Sequence, residues 1–352
     1  MGNRRIRFDT QLTAPLGHEA AATAELADQG VDGIFTFEGA HDVFLPLVPA
    51  AGAGLDLDLM TNVAIALPRS PIHLAHAAWD LQVLSRGRFR LGIGSQIRPQ
   101  IERRYGAAFA HPVERMREWT LAIKAILACW EGTAPLDFRG AHTSHTLMTP
   151  TFDPGPNPFG PPPVLLGALG PRMTELAAQV ADGVLVMPFN SRSHLIERTL
   201  PAIDRGLALA GRPSRTEGTR GFEIVAEVIV GCGRDERELA AAEAGVRALL
   251  SFYGSTPSYR PVLDVEGWSE LQPELNRLSK AGAWTAMAAL VEPEMISTLA
   301  VLGDPAHCAA EILHRFGDVA DRIAFYQPYR AVPATTAALL DELRHLQEAG
   351  RE

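Results

Sequence analysis

The sequence predicts an α/β fold: a (β/α)8 TIM barrel forming a single domain over residues 1–352, with insertions at about 133–163 and 255–303. Three observations carry this. Strand and helix patterns alternate from end to end, giving eight strands each followed by a helix. The strand patterns include continuous apolar runs, as expected of strands buried on both faces. The length of 352 residues suits one barrel with insertions, and the 47% apolar content supplies its core.

The clearest unit is Leu59 to Gln96, LMTNVAIALPRSPIHLAHAAWDLQVLSRGRFRLGIGSQ. LMTNVAIAL reads as a buried strand. Ser70 then serves as N-cap with Pro71 at the first helical position. Ile72, Ala75, Trp79, Val83 and Leu84 recur at helical spacing, Arg86-Gly87 stops the helix, and RFRLGIGS opens the next strand. Two strands joined by a helix make a parallel βαβ unit.

Before this unit, Ile6–Leu12 is a strand, His18–Gln29 a helix closed by Gly30, Gly33–Glu38 a strand and Phe44–Ala53 a short helix. After it come a helix at Pro112–Trp130, a strand at Val164–Gly167 and a helix at Pro171–Val180. Gly183–Met187, Phe222–Gly231 and Arg322–Gln327 are strands, followed by helices at Ser193–Ala210, Glu236–Tyr253 and Pro333–Glu348. Thr133–Pro163, with DPGPNPFGPPP, reads as an excursion: a hairpin of Leu136–Phe138 with Thr146–Met148, then a rigid loop. Ser255–Gly303 is the second excursion, with helical patches at Trp268–Ser279 and Trp284–Leu290. Such insertions cap a barrel mouth or make subunit contacts.

Composition excludes several functions. Net charge is −9 and Lys/Arg form no block, which argues against nucleic acid as partner. No apolar run reaches the roughly 18 residues of a membrane span, and MGNRRIRFDTQL lacks a signal-peptide core, so a cytoplasmic protein is expected. Cys129, Cys232 and Cys308 are far apart and form no CxxC, which disfavours a disulfide framework or zinc site. Lys124 lies mid-helix and Lys280 in the second insertion, away from where a Schiff base would form. His73 and His76 have ligand-like spacing on a helix, and His142 and His145 lie in the first insertion; all four read as packing or surface groups, and no metal is expected. Gly92-Ile93-Gly94 lacks the following helix that a dinucleotide fingerprint needs.

What remains are polar groups and glycines at strand ends, where a barrel puts its chemistry. In Glu38-Gly39-Ala40-His41-Asp42, either Asp42 simply caps the next helix or His41 exchanges a proton. Asn62 is either a satisfied core amide or a wall against a flat ligand. Gly167-Ala168-Leu169-Gly170-Pro171-Arg172-Met173 is either a plain helix start or an anion site built from free backbone N–H groups.

These strings, in this order, resemble the luciferase-like monooxygenase superfamily, and within it the F420-dependent oxidoreductase branch. The carriers are EGAHDVFLPL, TNVAIALPRSPIHLAHAAWDLQVLSRGRFRLGIGSQ, IERRYG, LMTPTFDPGPNPFGPPPV and LGALGPRMTELAAQVADGVLV, which together span nearly the whole chain. The resemblance implies a (β/α)8 barrel with an insertion and a deazaflavin cofactor, F420 first and FMN second. It implies that Glu38 is the acidic residue near the ring and His41 the acid/base of that loop, although here Gly39 and Ala40 separate the two. It places a non-prolyl cis peptide at Asn62-Val63, cofactor contacts at Gly94, Ser95 and Gln96, and a phosphate-contacting turn at Ala168, Gly170, Pro171, Arg172 and Met173. Some relatives carry a catalytic Glu shortly after strand four; here Ile97 stands there, leaving Glu102 or Arg98 as replacements. The implied reaction is hydride transfer to or from a small organic substrate. The alternatives are an FMN monooxygenase using reduced flavin and O2, and a non-catalytic flavin-binding barrel. Substrate would enter beneath the Pro-rich loop and the second insertion. Trp, Phe, Tyr and Leu in the insertions suggest an apolar molecule, and the Ala-rich stretches Ala20–Ala27 and Ala75–Val83 suggest a homodimer contact.

Overall fold

The computed structural model describes residues 5–215 and 221–350. Eight parallel strands close into a ring: β1 (Arg7–Gln11), β2 (Gly33–Thr36), β3 (Asp58–Thr61), β4 (Phe89–Gly94), β5 (Val164–Ala168), β6 (Gly183–Val186), β7 (Glu223–Cys232) and β8 (Arg322–Tyr326). Each strand pairs with its sequence neighbours, and β8 pairs with β1 to close the barrel. Helices α1 (Glu19–Asp28), α2 (Leu47–Gly52), α3 (Pro71–Leu84), α4 (Pro112–Trp130), α5 (Pro171–Val180), α6 (Leu200–Leu209), α7 (Pro305–Phe316) and α8 (Pro333–Ala349) alternate with the strands. Arg86 at φ 56° and Gly87 at φ 84° end the α3 unit, where a left-handed turn stops the helix.

Residues of one inward face follow at every second position, so the barrel interior is layered. At the N-terminal end lies an ionic layer. Arg322 Nε donates to Asp9 Oδ2 at 2.7 Å, Arg322 Nη1 to Asp58 Oδ2 at 2.7 Å, and Arg90 Nε to Glu223 Oε2 at 2.9 Å. Burial opposes ionisation of Asp58, but Arg322, Arg90 and Arg7 together hold its carboxyl below the usual range. Above it, Phe35, Met60, Leu165, Leu185, Val225 and Ala324 form an apolar plug. One step further, at the C-terminal mouth, the same strands present polar and small residues.

The structure departs from the sequence reading in four places. The LMTNVAIAL run is not one strand: β3 ends at Thr61, the Asn62–Val63 peptide is cis, and pairing with β4 resumes at Ala64–Ile65. The hairpin of the first insertion pairs Phe138–Arg139 with Ser144–His145, because the Glu118 carboxylate gathers the amides of Ala141, His142 and Thr143 at its turn. The Pro-rich segment lines a groove along α3, with Pro154, Pro156 and Pro158 beside Trp79, Val83 and Leu84. It leads into the start of β5 and so lies away from the mouth, where it was expected to cover the substrate.

The fourth departure concerns the second insertion. The helix Glu236–Gly254 does not return the chain to the bottom of the barrel; α7 does, packing on β7 and α8. The excursion therefore runs from Gly233 to Asp304, and the 236–254 helix belongs to the cover of the mouth together with short helices at Arg260–Val265, Leu271–Lys280, Trp284–Ala289 and Pro293–Leu299. The apolar faces of the 236–254, 260–265 and 293–299 helices, with Leu271, meet Phe189 and Ile229 in a second core. Val301–Gly303 adds a short strand beside the upper end of β7. Cys232 and Cys308, remote in sequence, lie side by side as buried thiols at this junction. Ala75 and Ala78 are consumed in the barrel's own core, so that Ala-rich face of α3 is not open to a second subunit.

Candidate active site

Three of the expected positions converge just above the apolar plug. Asn62 is buried, its backbone N–H donates to Thr36 O at 2.7 Å, and its side-chain Nδ2 has no hydrogen-bond partner. Val63 packs on the plug and against the end of β4: a Cβ on Gly94 would come within 2.7 Å of Val63 Cγ2. The other methyl, Cγ1, would lie 3.1 Å from a Cβ on Gly167, the residue before Ala168. Glycines at the ends of β4 and β5 thus let Val63 protrude into the mouth. Beyond Gly94, Ser95 Oγ donates to Gln96 O at 3.2 Å, and Gln96 turns the chain with φ 57°.

The Ala168–Met173 turn adjoins this wall. Gly170 caps α5 without a side-chain bond and Pro171 takes the first helical position, so the positive helix end is left to other partners. Arg172 does not join it: exposed, it pairs outward with Glu114 at 2.9 Å. Met173 packs toward the core.

Glu38 is tied down. Its Oε2 accepts from Ile65 N at 2.9 Å and from Arg69 at 2.6 Å, and its Oε1 accepts from the Tyr105 hydroxyl at 3.1 Å. The carboxylate thereby clamps the segments that follow β2, β3 and β4. His41, three residues on, is exposed and makes no hydrogen bond among the described residues. Its neighbour Asp42 does not cap α2, which starts at Leu47 behind Pro46 with no side-chain cap. Instead it accepts from Phe44 N at 2.8 Å and Leu45 N at 3.1 Å within the loop and pairs with Arg69. Arg98 and Glu102 pair with each other at 2.8 Å on the surface, so neither turns a free group into the mouth.

The residue that sequence reading missed is Glu227, on the inward face of β7 two positions above Val225. FEIVAEVIVG holds two acids: Glu223 pairs with Arg90 in the ionic layer, and Glu227 stands two residues beyond Val225. Ionisable groups in a strand buried on both faces are the signal that was available. The Asn62 side chain faces it without completing a well-formed hydrogen bond from Nδ2. Burial drives the Glu227 carboxyl up to about 8, against the smaller opposing pull of Asn62. Three phenols feel its charge: Tyr326 at the end of β8, Tyr253 near the end of the 236–254 helix, and Tyr259 in the excursion. Phe189 stacks edge-on against Tyr253, with ring centres 6.0 Å apart, and Phe37 lies 6.1 Å from Tyr326.

A second buried group, His194, lies after β6. Its Nδ1 is 2.9 Å from Asn190 Oδ1, and burial with the nearby Arg198 holds its pKa down at about 4. Among the described residues, no group of three or more His, Cys, Asp or Glu is placed to hold a metal, and no helix is long and apolar enough to cross a membrane.

The family model for luciferase-like monooxygenases matches residues 5–322. An uncharacterized protein of Mycobacterium tuberculosis is 44% identical over 322 residues, covering 92% of this chain and 93% of its own. The 5,10-methylenetetrahydromethanopterin reductase of Archaeoglobus fulgidus is 32% identical over 241 residues, covering 67% of this chain and 66% of that protein. Among solved structures, the coenzyme F420 dependent tetrahydromethanopterin reductase of Methanopyrus kandleri superposes with a TM-score of 0.79 at 19% identity, over 97% of this chain and 99% of that one.

Proposed function

The chain belongs to the luciferase-like monooxygenase family and is an oxidoreductase of that kind, and from this premise we propose that it uses F420 to reduce or oxidise a small organic substrate. The observation that carries this reading is the buried Asn62 amide beside the Val63 wall: its Nδ2 faces the Glu227 carboxyl but completes no hydrogen bond. An unsatisfied buried donor costs about 1–3 kcal/mol, and a polar ring edge seated there would satisfy it. Val63 and Gly94 offer a flat apolar face, and the Ala168–Gly170 turn with the start of α5 offers backbone N–H groups to a phosphate. When bound, the deazaflavin would supply two electrons and a hydrogen as hydride. Glu38 serves by holding the walls in register through Ile65, Arg69 and Tyr105. The excursion from Gly233 to Asp304 covers the mouth and excludes water from the reacting groups.

The reading is tested by titrating the purified protein with F420 and, separately, with FMN, following absorbance and fluorescence. Saturable F420 binding, lost in Asn62→Ala, is expected. Tight FMN binding without F420 binding would replace the reading with a monooxygenase using reduced flavin and O2. Sedimentation of the same sample tests the homodimer proposed with it.

A further inference from the structure

We propose that Glu227 is the group that gives and takes the reaction's proton, and that it serves an uncharged C=O or C=N bond of the substrate. The proposal rests on the reading of the chain as a deazaflavin-dependent oxidoreductase.

Two carboxyls stand at the mouth, and their partners divide the work between them. Glu38 accepts three hydrogen bonds and is paired with Arg69, so its oxygens are committed. Glu227 stands on β7 two residues beyond the plug residue Val225 and in register with Ala324 of β8, whose next residue on that face is Tyr326. Tyr253 and Tyr259 of the excursion, their rings 5.9 Å apart and both against Phe189, complete the surroundings with the Asn62 amide. No cation among the described residues acts on the carboxyl. A carboxyl in such a place holds its proton near neutral pH and can deliver it, as a matched general acid must. Glu227 is not fully enclosed: the residue keeps partial exposure, through which the proton is replaced from solvent. The surroundings also select the substrate. Phenols and a neutral acid donate hydrogen bonds without supplying positive charge, so they suit an uncharged acceptor atom rather than a phosphate or carboxylate.

The substrate carbon gains the hydride, and the π pair of the C=O or C=N bond moves to the oxygen or nitrogen. That atom forms its new bond to the proton of Glu227, leaving a carboxylate that is reprotonated from solvent. In the reverse direction Glu227 is the base. The cofactor loses the two electrons that the substrate gains.

The deciding measurement needs no cofactor. Infrared spectra of cofactor-free protein labelled with ¹³C-glutamate are recorded across the pH range in wild type and in Glu227→Gln. A carboxylic C=O band persisting at neutral pH, titrating with a midpoint of about 8 and absent from the variant, is expected. Its absence from wild type overturns the proposal whatever cofactor binds. The second measurement is oxidation of reduced F420 by a panel of simple ketones, aldehydes and imines. Glu227→Gln is expected to lower kcat by about 100-fold or more while F420 affinity is unchanged. An unchanged kcat removes Glu227 from proton transfer, and a panel left wholly unreduced by wild type overturns the substrate class. Failure of wild type to bind F420 sinks the parent reading alone, and the infrared titration still decides whether Glu227 holds the proton.

Discussion

Glu38 and Glu227 are the same side chain in two electrostatic settings. Glu38 sits among donors, with Arg69 at 2.6 Å and a phenol and a backbone N–H on its remaining lone pairs. Glu227 sits among phenols and an amide, without a cation. Charge-assisted hydrogen bonds contribute about 1.5–3 kcal/mol. Glu38→Gln should therefore lower the urea unfolding free energy by about that amount, and weaken cofactor binding because the Ile65 segment beside Asn62 loses its anchor. Unchanged stability would show that Glu38 is not a clamp. His41 offers the comparison. It is exposed and unheld, and a side chain that nothing orients delivers little general catalysis. With a substrate in hand, His41→Asn should change turnover far less than Glu227→Gln does; the opposite order would return the proton to the His41 loop that the family resemblance suggested.

At the scale of elements, the mouth is built by the 236–254 helix lying against the turn that follows β8. Gly245 is the point of closest approach: a Cβ there would stand 2.5 Å from Pro328 O and 3.1 Å from Tyr329 Cβ. Gly245→Ala should push the helix off this turn and displace Tyr253 from Tyr326. Overpacking of this kind costs about 1–3 kcal/mol, read as a lowered unfolding midpoint, with turnover falling as well because the cover carries two of the phenols. A variant as stable and active as wild type would show that the helix moves freely on the barrel. The turn is held from the other side by Tyr329, whose hydroxyl accepts from Cys232 N at 2.8 Å and donates to Cys232 O at 3.0 Å.

At the scale of the whole molecule, the ionic layer closes the N-terminal end of the barrel and the mouth leaves an uncompensated acid at the other. Arg322 is buried and joins β8 to β1 and β3 through Asp9 and Asp58. Arg322→Met should cost about 3–5 kcal/mol in urea unfolding, because the buried Asp9 carboxylate would be stranded while Asp58 keeps Arg90 and Arg7; a small loss would mean that the layer is hydrated. The pH dependence follows from two groups of opposite sign. Glu227 rises from 4.5 to about 8 on folding, so the native state holds the extra proton and stability falls as pH rises through that window. His194 drops from 6.5 to about 4, so the unfolded state holds the extra proton and stability rises through its own window. The two contributions cancel between pH 4.5 and 6.5 and leave the Glu227 decline alone between 6.5 and 8. Unfolding at intervals across this range should show a loss of about 2 kcal/mol over the upper part, absent in Glu227→Gln. A wild type that is level above pH 6.5, the ordinary value for His194, would contradict the desolvation of Glu227.

Much of this molecule is local, and what is local was legible. The alternation of strands and helices, the Ser70-Pro71 start of α3, the Arg86-Gly87 stop and the open start of α5 each depend on a few neighbouring residues, and the structure has them where the pattern puts them. The family strings add the cis Asn62–Val63 peptide, which is in place. The segments 133–163 and 255–303 were readable as excursions, but not that the second begins at Gly233 and takes in the 236–254 helix, nor where either goes, since that depends on which surface buries them: α3 for the prolines, the mouth for the 236–254 helix. Glu227 is the sharpest case. Its chemistry is not in its own strand but in Asn62, Tyr253, Tyr259 and Tyr326, which reach it only when the ring closes and the excursion folds back over it. Backbone preference and apolar periodicity are properties of short segments, so they are written in the order of residues and lay out the alternation that closes the barrel; the break at Asn62–Val63 is legible only through the family strings. Desolvation depends on everything that surrounds a group, so only the tertiary structure decided which carboxylate became a clamp and which kept its proton.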